Sequence, residues 1–187
     1  MRVFIAVELP QQVKKEIAAI QNKITDTTNK IKWVSPASMH ITLKFLGEVQ
    51  EKRLDKVFDI SQGVADKFNP FSVEIKGTGA FPETGNPKVL WVGIKEGSAE
   101  LARMAAELEK ELFKDGFPGE RKKWTPHITL GRVKQLKDTH SIKELIGKEK
   151  ETSGGKMKVE EIVVLQSQLT PQGAIHTPLK RFSLKKD

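Results

Sequence analysis

The sequence predicts an α+β protein with two pseudo-symmetric lobes, each an antiparallel sheet backed by helices, around a central cleft. One observation is that the tetrapeptide His-Ile-Thr-Leu occurs twice, at residues 40–43 and 127–130, each time after a Lys-Trp pair and a proline. The other is that strand and helix patterns run in the same order on either side of a Gly- and Pro-rich break at residues 77–88. The 187 residues are therefore expected to form a single domain with pseudo-repeat halves at approximately 1–80 and 88–187.

The first half is predicted to run strand, helix, His-Ile-Thr strand, helix, strand. Its first helix shows apolar residues at i, i+4, i+7 and i+11 from Val13, which form one stripe of an amphipathic helix. Its last strand alternates Phe71, Val73 and Ile75 with polar residues. The predicted elements are a strand at 3–7, a helix at 10–24, a short extended piece at 32–34, a strand at 39–46, a helix at 51–67 and a strand at 71–76.

The second half is predicted to repeat this order and to end in a hairpin. The repeat places a strand before an amphipathic helix whose stripe runs from Leu101 to Leu112, and a short helix after the second His-Ile-Thr strand. The predicted elements are strands at 89–94 and 124–133, a short helix carrying Ile142, Leu145 and Ile146, a mobile loop at 149–156, and strands at about 158–168 and 174–184 that pair across residues 170–173.

The composition narrows the class of protein. A formal net charge of +8 favours a polyanionic partner, nucleic acid above all, although a lysine-rich solvated surface explains the same charge. With no cysteine, the chain has no disulfide, catalytic thiolate or cysteine-based zinc site. The apolar run at the start is too short for a signal peptide, and no stretch approaches the roughly 20 apolar residues of a membrane span. We therefore expect a cytoplasmic protein that does not bind a membrane.

The His-Ile-Thr-Leu motif displays two polar side chains together. Residues two apart on a strand share a face, so His40 and Thr42 point the same way, as do His127 and Thr129. The isoleucine and leucine of each copy then point into the core and anchor the strand. Across a pseudo-twofold axis, two imidazoles and two hydroxyls would face one small volume.

Three further residues near the motifs are candidate substrate contacts. Lys44 shares the strand parity of the first motif's polar pair and is a candidate for the rim of the site. Phe45 has core parity but would suit stacking on a base. Arg132 lies five residues after the second histidine, so regular alternation points it away from the site, and it needs a bulge or the strand's end to reach a phosphate.

The paired array suits cleavage of a phosphodiester. One neutral imidazole can accept a proton from a nucleophile while the other, protonated, gives one to the leaving oxygen, and an unperturbed pKa near 6.5 permits both forms. Threonine hydroxyls and an arginine can bind the non-bridging oxygens. Two alternatives stay open at this point. In one alternative both histidines have a structural role only. In the other they are two ligands of a metal site, although no acidic residue lies beside either motif on the same strand face.

At these motifs the chain resembles the two-histidine (2H) phosphoesterases. More narrowly, residues 2–10, 40–47 and 126–132 resemble the RNA 2′,3′-cyclic phosphodiesterases, also called 2′-5′ RNA ligases, and the resemblance covers essentially the whole chain. It implies the bilobal 2H fold, metal-independent hydrolysis of RNA 2′,3′-cyclic phosphate ends to 2′-phosphates, and reversible 2′-5′ joining. It also implies that His40 is the proton donor and His127 the proton acceptor.

The resemblance implies that the reaction needs no cofactor. It implies an RNA substrate with a 2′,3′-cyclic phosphate end, and tRNA halves are candidates. Nothing in the sequence demands more than a monomer. The alternatives are a non-catalytic RNA-binding module and a 2H enzyme for a small cyclic nucleotide. The basic run at 121–123 is a candidate contact for the RNA backbone, and Trp33 and Trp124 are expected to pack at equivalent places. His140 and His176, which lack a threonine two residues on, are expected to lie on the surface.

Overall fold

A computed structural model describes residues 1–25, 29–83, 86–120, 124–171 and 173–185. The helices are α1 (Gln11–Ile24), α2 (Leu54–Ala65), α3 (Ser98–Lys114) and α4 (Thr139–Lys148), with 3-10 turns at Pro36–Ser38 and Glu51–Arg53. The strands are β1 (Arg2–Glu8), β2 (Lys30–Trp33), β3 (His40–Glu48), β4 (Phe71–Phe81), β5 (Val89–Ile94), β6 (His127–Gln135), β7 (Ser153–Val159), β8 (Glu161–Thr170) and β9 (Gly173–Ser183).

The strands form two antiparallel sheets, which confirms the predicted α+β bilobal architecture. The four-stranded sheet has the order β3-β1-β8-β9 and the five-stranded sheet the order β2-β6-β5-β4-β7. Helices α2 and α3 pack together against the four-stranded sheet, whereas α1 and α4 pack against the five-stranded sheet. Among the described residues, no helix is long and apolar enough to cross a membrane.

The two lobes do not follow the two halves of the sequence. The four-stranded sheet combines β1 and β3 with β8 and β9 from the end of the chain. The five-stranded sheet takes β2 and β4 from the first half. The helices cross over as well, because α1 contacts β7 and α3 contacts β3. Each lobe is therefore built from both halves.

Two sequence predictions in the second half are wrong. The expected loop at 149–156 ends early, because strand β7 begins at Ser153 and pairs with β4. Its glycines mark a close approach, since a Cβ at Gly154 would lie 2.6 Å from a methyl group of Ile75. The strand expected at 158–168 is divided at Glu160 between β7 and β8. The final hairpin is confirmed, with Thr170 paired to Gly173.

The main core lies between the sheets' inner faces and the helices. It includes the isoleucine and leucine of both motifs, all 2% exposed or less, and burying each such side chain stabilises the fold by about 1.5–3 kcal/mol. A second, smaller cluster covers the opposite face of the four-stranded sheet and consists of Phe4, Ala6, Val163 and Leu165. This apolar patch lies next to the first motif, because its Phe4 ring packs against His40.

Candidate active site

Both motif histidines are held in the same way. The Nδ1 atom of His40 lies 2.8 Å from the carbonyl oxygen of Ser38, and Nδ1 of His127 lies 2.8 Å from that of Thr125. A carbonyl oxygen only accepts hydrogen bonds, so Nδ1 carries the proton in each neutral ring. Nε2 of each imidazole is therefore left as the atom that accepts or delivers a proton.

Each imidazole also has an aromatic neighbour at its edge. The His127 and Phe81 rings meet at 89° with centroids 5.1 Å apart. The His40 and His176 rings meet at the same angle and distance, and Phe4 packs against both of them, with ring centroids 4.8 Å from His40 and 4.9 Å from His176. These contacts restrict both rings, and they place a third histidine in the first half-site only.

Burial depresses the pKa of His40 to about 4. The hydrogen bond to Ser38 opposes that effect, while the neighbouring His176 and Lys14 reinforce it. Glu8, which lies opposite His40 on β1, raises the pKa slightly. The first imidazole is therefore neutral at pH 7 in the free protein.

Burial also lowers the pKa of His127. The hydrogen bond to Thr125 opposes this effect and the positive charge of Arg132 adds to it. The two half-sites thus differ in their neighbouring charges, because Glu8, Lys14 and His176 act on His40, whereas Arg132 acts on His127.

A β-bulge follows the threonine of each motif. Leu43 in β3 and Leu130 in β6 are skipped in the pairing with β1 and β5, whereas their neighbours on both sides are paired. A bulge adds one residue to a strand and so reverses the alternation of side chains beyond it. Both motifs carry it at the same place.

The bulges change the face of the sheet on which the three candidate substrate contacts lie. Lys44 turns to the helix side, where it is 5% exposed and its Nζ donates to Glu109 at 2.5 Å and to the Pro118 carbonyl at 2.8 Å. The prediction that it lines the site is wrong. Phe45 instead lies on the motif face, 44% exposed, so its expected core parity is wrong too. Arg132 is exposed on the face of His127, as a bulge requires.

The threonines and tryptophans of the two motifs lie between the half-sites. Thr42 and Thr129 are half-buried, and within the described residues neither hydroxyl has a hydrogen-bond partner. Strand β3 contacts β6, and the Trp124 Nε1–H donates to the carbonyl oxygen of Thr42 at 3.1 Å. Trp33 is half-buried against the core. Residues 121–123, the expected backbone contact, lie outside the described residues.

A metal site built by the protein alone would need several ligands side by side. Within the described ranges, no three or more histidine, aspartate or glutamate side chains come together closely enough to hold a metal ion.

The profile of one family, described as LigT-like phosphoesterase, matches the chain twice, at residues 7–91 and 92–176. The chain belongs to this family. The RNA 2′,3′-cyclic phosphodiesterase of Methanothermobacter thermautotrophicus is 33% identical over 184 residues, covering 98% of this chain and 99% of the relative. The protein of that name from Archaeoglobus fulgidus is 36% identical over 182 residues, covering 97% and 99%.

Solved structures agree with the fold. TT0787 of Thermus thermophilus superposes with a TM-score of 0.84 at 30% identity, covering 99% of this chain and 98% of that one. E. coli LigT in complex with 3′-AMP gives a TM-score of 0.78 at 22% identity, covering 99% and 98%. At that identity the second comparison speaks for the fold alone.

Two residues of this LigT-like site were not predicted from the sequence. His176, expected on the surface, is half-buried against His40, because β9 lies in the same sheet as the first motif. Phe81 lies in the segment read as a break. Neither has a local signal, since only the pairing of distant strands brings them to the histidines. His140 is exposed as expected.

Proposed function

We propose that this chain hydrolyses RNA 2′,3′-cyclic phosphate ends to 2′-phosphomonoesters by acid–base catalysis with His40 and His127. The observation that carries the proposal is the matched clamp on the two imidazoles, which leaves two Nε2 atoms as proton carriers on two neighbouring strands. The names of the relatives support RNA as the substrate class.

In the proposed reaction, Nε2 of His127 accepts a proton from water as the water oxygen attacks phosphorus. The bond from phosphorus to the ribose 3′-oxygen breaks, and protonated His40 delivers its proton to that oxygen. Arg132 disfavours the imidazolium of His127, which suits a proton acceptor. At His40, Glu8 favours the imidazolium whereas His176 and Lys14 oppose it, so the donor role of His40 rests on the family resemblance. Because burial keeps His40 neutral in the free protein, it takes up its proton as the anionic substrate binds.

The remaining candidates have distinct roles in this scheme. The hydroxyls of Thr42 and Thr129, which have no hydrogen-bond partner among the described residues, donate to the non-bridging phosphate oxygens, whose charge Arg132 balances. The exposed ring of Phe45 suits a base of the RNA. Joining to a 2′-5′ linkage follows when a 5′-hydroxyl RNA replaces water as the nucleophile. RNA ends of this kind, tRNA halves among them, would be processed in the cytoplasm by a monomer.

The test uses RNA ending in a 2′,3′-cyclic phosphate, incubated in EDTA. We expect conversion to a 2′-phosphate by the wild type and a loss of rate of at least about 100-fold in His40→Ala and in His127→Ala, because each removes one proton carrier. His140→Ala, which replaces an exposed histidine, is the control and retains the rate. Mass and phosphatase sensitivity identify the product as a phosphomonoester, and chromatography against 2′- and 3′-phosphate standards identifies the isomer.

Other outcomes point elsewhere. Full activity in either motif variant would refute the acid–base assignment, and loss of activity in EDTA would show that a metal ion takes part. RNA binding without turnover would identify a non-catalytic module. Turnover of cyclic mononucleotides but not of RNA would identify a small cyclic nucleotide as the substrate.

A further inference from the structure

Four cations form a strip on the five-stranded sheet beyond His127. Arg132 and Lys134 lie on β6, and Lys30 and Lys32 lie on the neighbouring strand β2. All four are exposed, and Lys32 is paired directly with Arg132. This basic strip continues the face on which His127 and Thr129 are displayed.

The strip holds positive charge that no carboxylate of the described residues neutralises. None of its four members makes an ion pair with a carboxylate of the described residues, although many other lysines do, for example Lys23 with Glu149. Like charges placed directly opposite each other on neighbouring strands destabilise the sheet. The Lys32–Arg132 pair therefore carries a cost that a bound anion would remove.

Protection of a sheet edge does not account for the strip. Lysines on an edge strand discourage pairing with another chain, and β2 is an edge strand, which accounts for Lys30 and Lys32 alone. Arg132 and Lys134 lie on β6, which is enclosed between β2 and β5 and presents no edge. The cations on the inner strand require another explanation.

At the corresponding position of the other sheet the side chain is aromatic. Phe45 follows the first motif as Arg132 follows the second, each two positions beyond its bulge. The Arg2 guanidinium lies 5.4 Å from the centre of the Phe45 ring, and Phe4 lies opposite Phe45 on β1. One sheet thus offers a stacking surface and the other a row of cations, which breaks the symmetry between the half-sites.

We propose that the basic strip binds backbone phosphates of the RNA on the 5′ side of the reacting terminal nucleotide. The proposal rests on the proposed function, and it adds an orientation, with the RNA body on the five-stranded sheet. Single-stranded RNA combines stacked bases with a charged backbone, and an aromatic surface beside a row of cations matches both. A mononucleotide has no phosphate to place there.

The experiment compares two triple variants of equal charge. In the strip variant, Lys30, Lys32 and Lys134 are changed to Ala. In the control variant, Lys52, Lys95 and Lys143 are changed to Ala. These three lysines are exposed, lie outside the strip and make no ion pair with described residues. Both are assayed on a hexaribonucleotide with a 2′,3′-cyclic phosphate end and on 2′,3′-cyclic CMP, and circular dichroism verifies the fold of each.

We expect the strip variant to lose about 10- to 100-fold in kcat/KM on the hexanucleotide, mostly through KM, and less than about twofold on cyclic CMP. The slope of log KM against log salt should fall by about 2, since each phosphate contact on a single strand contributes about 0.7. The control variant should match the wild type. Equal losses in both variants, or none in the strip variant, would refute the proposal.

Binding separates this inference from the proposed reaction. Fluorescence anisotropy with the hexanucleotide ending in a 3′-phosphate measures affinity without turnover. If the wild type fails to cleave the cyclic end but the strip variant alone loses affinity, the strip is upheld and the reaction is not. If cleavage is found and all three proteins bind alike, the reaction is upheld and the strip is not.

Discussion

His40 and His127 are clamped alike but are surrounded differently. Each donates from Nδ1 to a carbonyl two residues before it and meets a ring at 5.1 Å, yet that ring is His176 in one half-site and Phe81 in the other. At the scale of single residues, the sequence located the motif pair, and the acid–base roles of the two imidazoles stay a prediction. It did not identify the neighbours, which arrive from distant strands.

The burial of His40 makes stability depend on pH. Its pKa is about 4 in the folded protein and about 6.5 unfolded, so the unfolded chain binds more protons between these values and stability falls as the pH falls. The full difference corresponds to about 3 kcal/mol. We expect urea unfolding to show a smaller loss of stability from pH 7 to pH 4 in His40→Gln than in the wild type.

His140→Gln serves as the control for that comparison, because His140 is exposed. Carboxylates titrate in the same range in every protein of the set, so the difference between variants is the quantity that counts. An identical pH dependence in wild type and His40→Gln would contradict a depressed pKa at this residue.

At the scale of strands, the two bulges decide which side chains reach the site. Hydrophobic alternation predicts a regular strand, and it placed β3 and β6 within a few residues of their bounds. A bulge has no marker in that pattern, because Leu43 and Leu130 are apolar whether or not they are paired. The sequence therefore misplaced Lys44 and Phe45, and it located Arg132 only on condition that a bulge was present.

Close strand packing beneath His127 gives a prediction. A Cβ at Gly79 would lie 2.3 Å from the Trp91 ring, which in turn packs 5.1 Å from Phe81, the edge neighbour of His127. We expect Gly79→Ala to lower the free energy of unfolding by about 1–3 kcal/mol, because the rings must shift. The cleavage rate should fall as well, since His127 loses its fixed neighbour.

Gly63→Ala is the matched control for this substitution. Gly63 is exposed on α2, and its added Cβ would meet nothing within 4 Å. Alanine there should raise the free energy of unfolding by about 0.5–1 kcal/mol, because glycine is the poorer helix former. Chemical denaturation measures both effects. A Gly79→Ala protein as stable and active as the wild type would show that the Trp91 ring moves without cost.

At the scale of the whole molecule, the halves of the chain are interleaved. The order of elements was predictable from periodicity, because each strand and helix carries its own pattern. The assignment of strands to sheets was not, since it depends on pairing between residues far apart in sequence. Buried contacts also cross between halves, as where Gln21 Nε2 donates to the carbonyl of Leu130 at 2.9 Å.

Interleaving predicts that neither half folds alone. We expect fragments 1–86 and 87–187 to be unfolded by circular dichroism and amide NMR dispersion, because each sheet takes strands from both. The intact chain should unfold in urea in one transition seen alike by tryptophan fluorescence and circular dichroism. A cooperative transition in either isolated fragment, or two separate transitions in the intact chain, would contradict this expectation.

The paired bulges also indicate where this scaffold accepts redesign. A library built on regular alternation would randomise positions 44 and 131. Lys44 is tied to Glu109 and Pro118, and a Cβ at Gly131 would lie 2.7 Å from Ile31, so most such clones would lose folded protein without exploring new specificity. Positions 45 and 132 are exposed on the motif face, so side chains of other sizes fit there without entering the core. Directed evolution toward other cyclic phosphates should begin with codon 45, because Arg132 is proposed to balance the phosphate charge that all such substrates share.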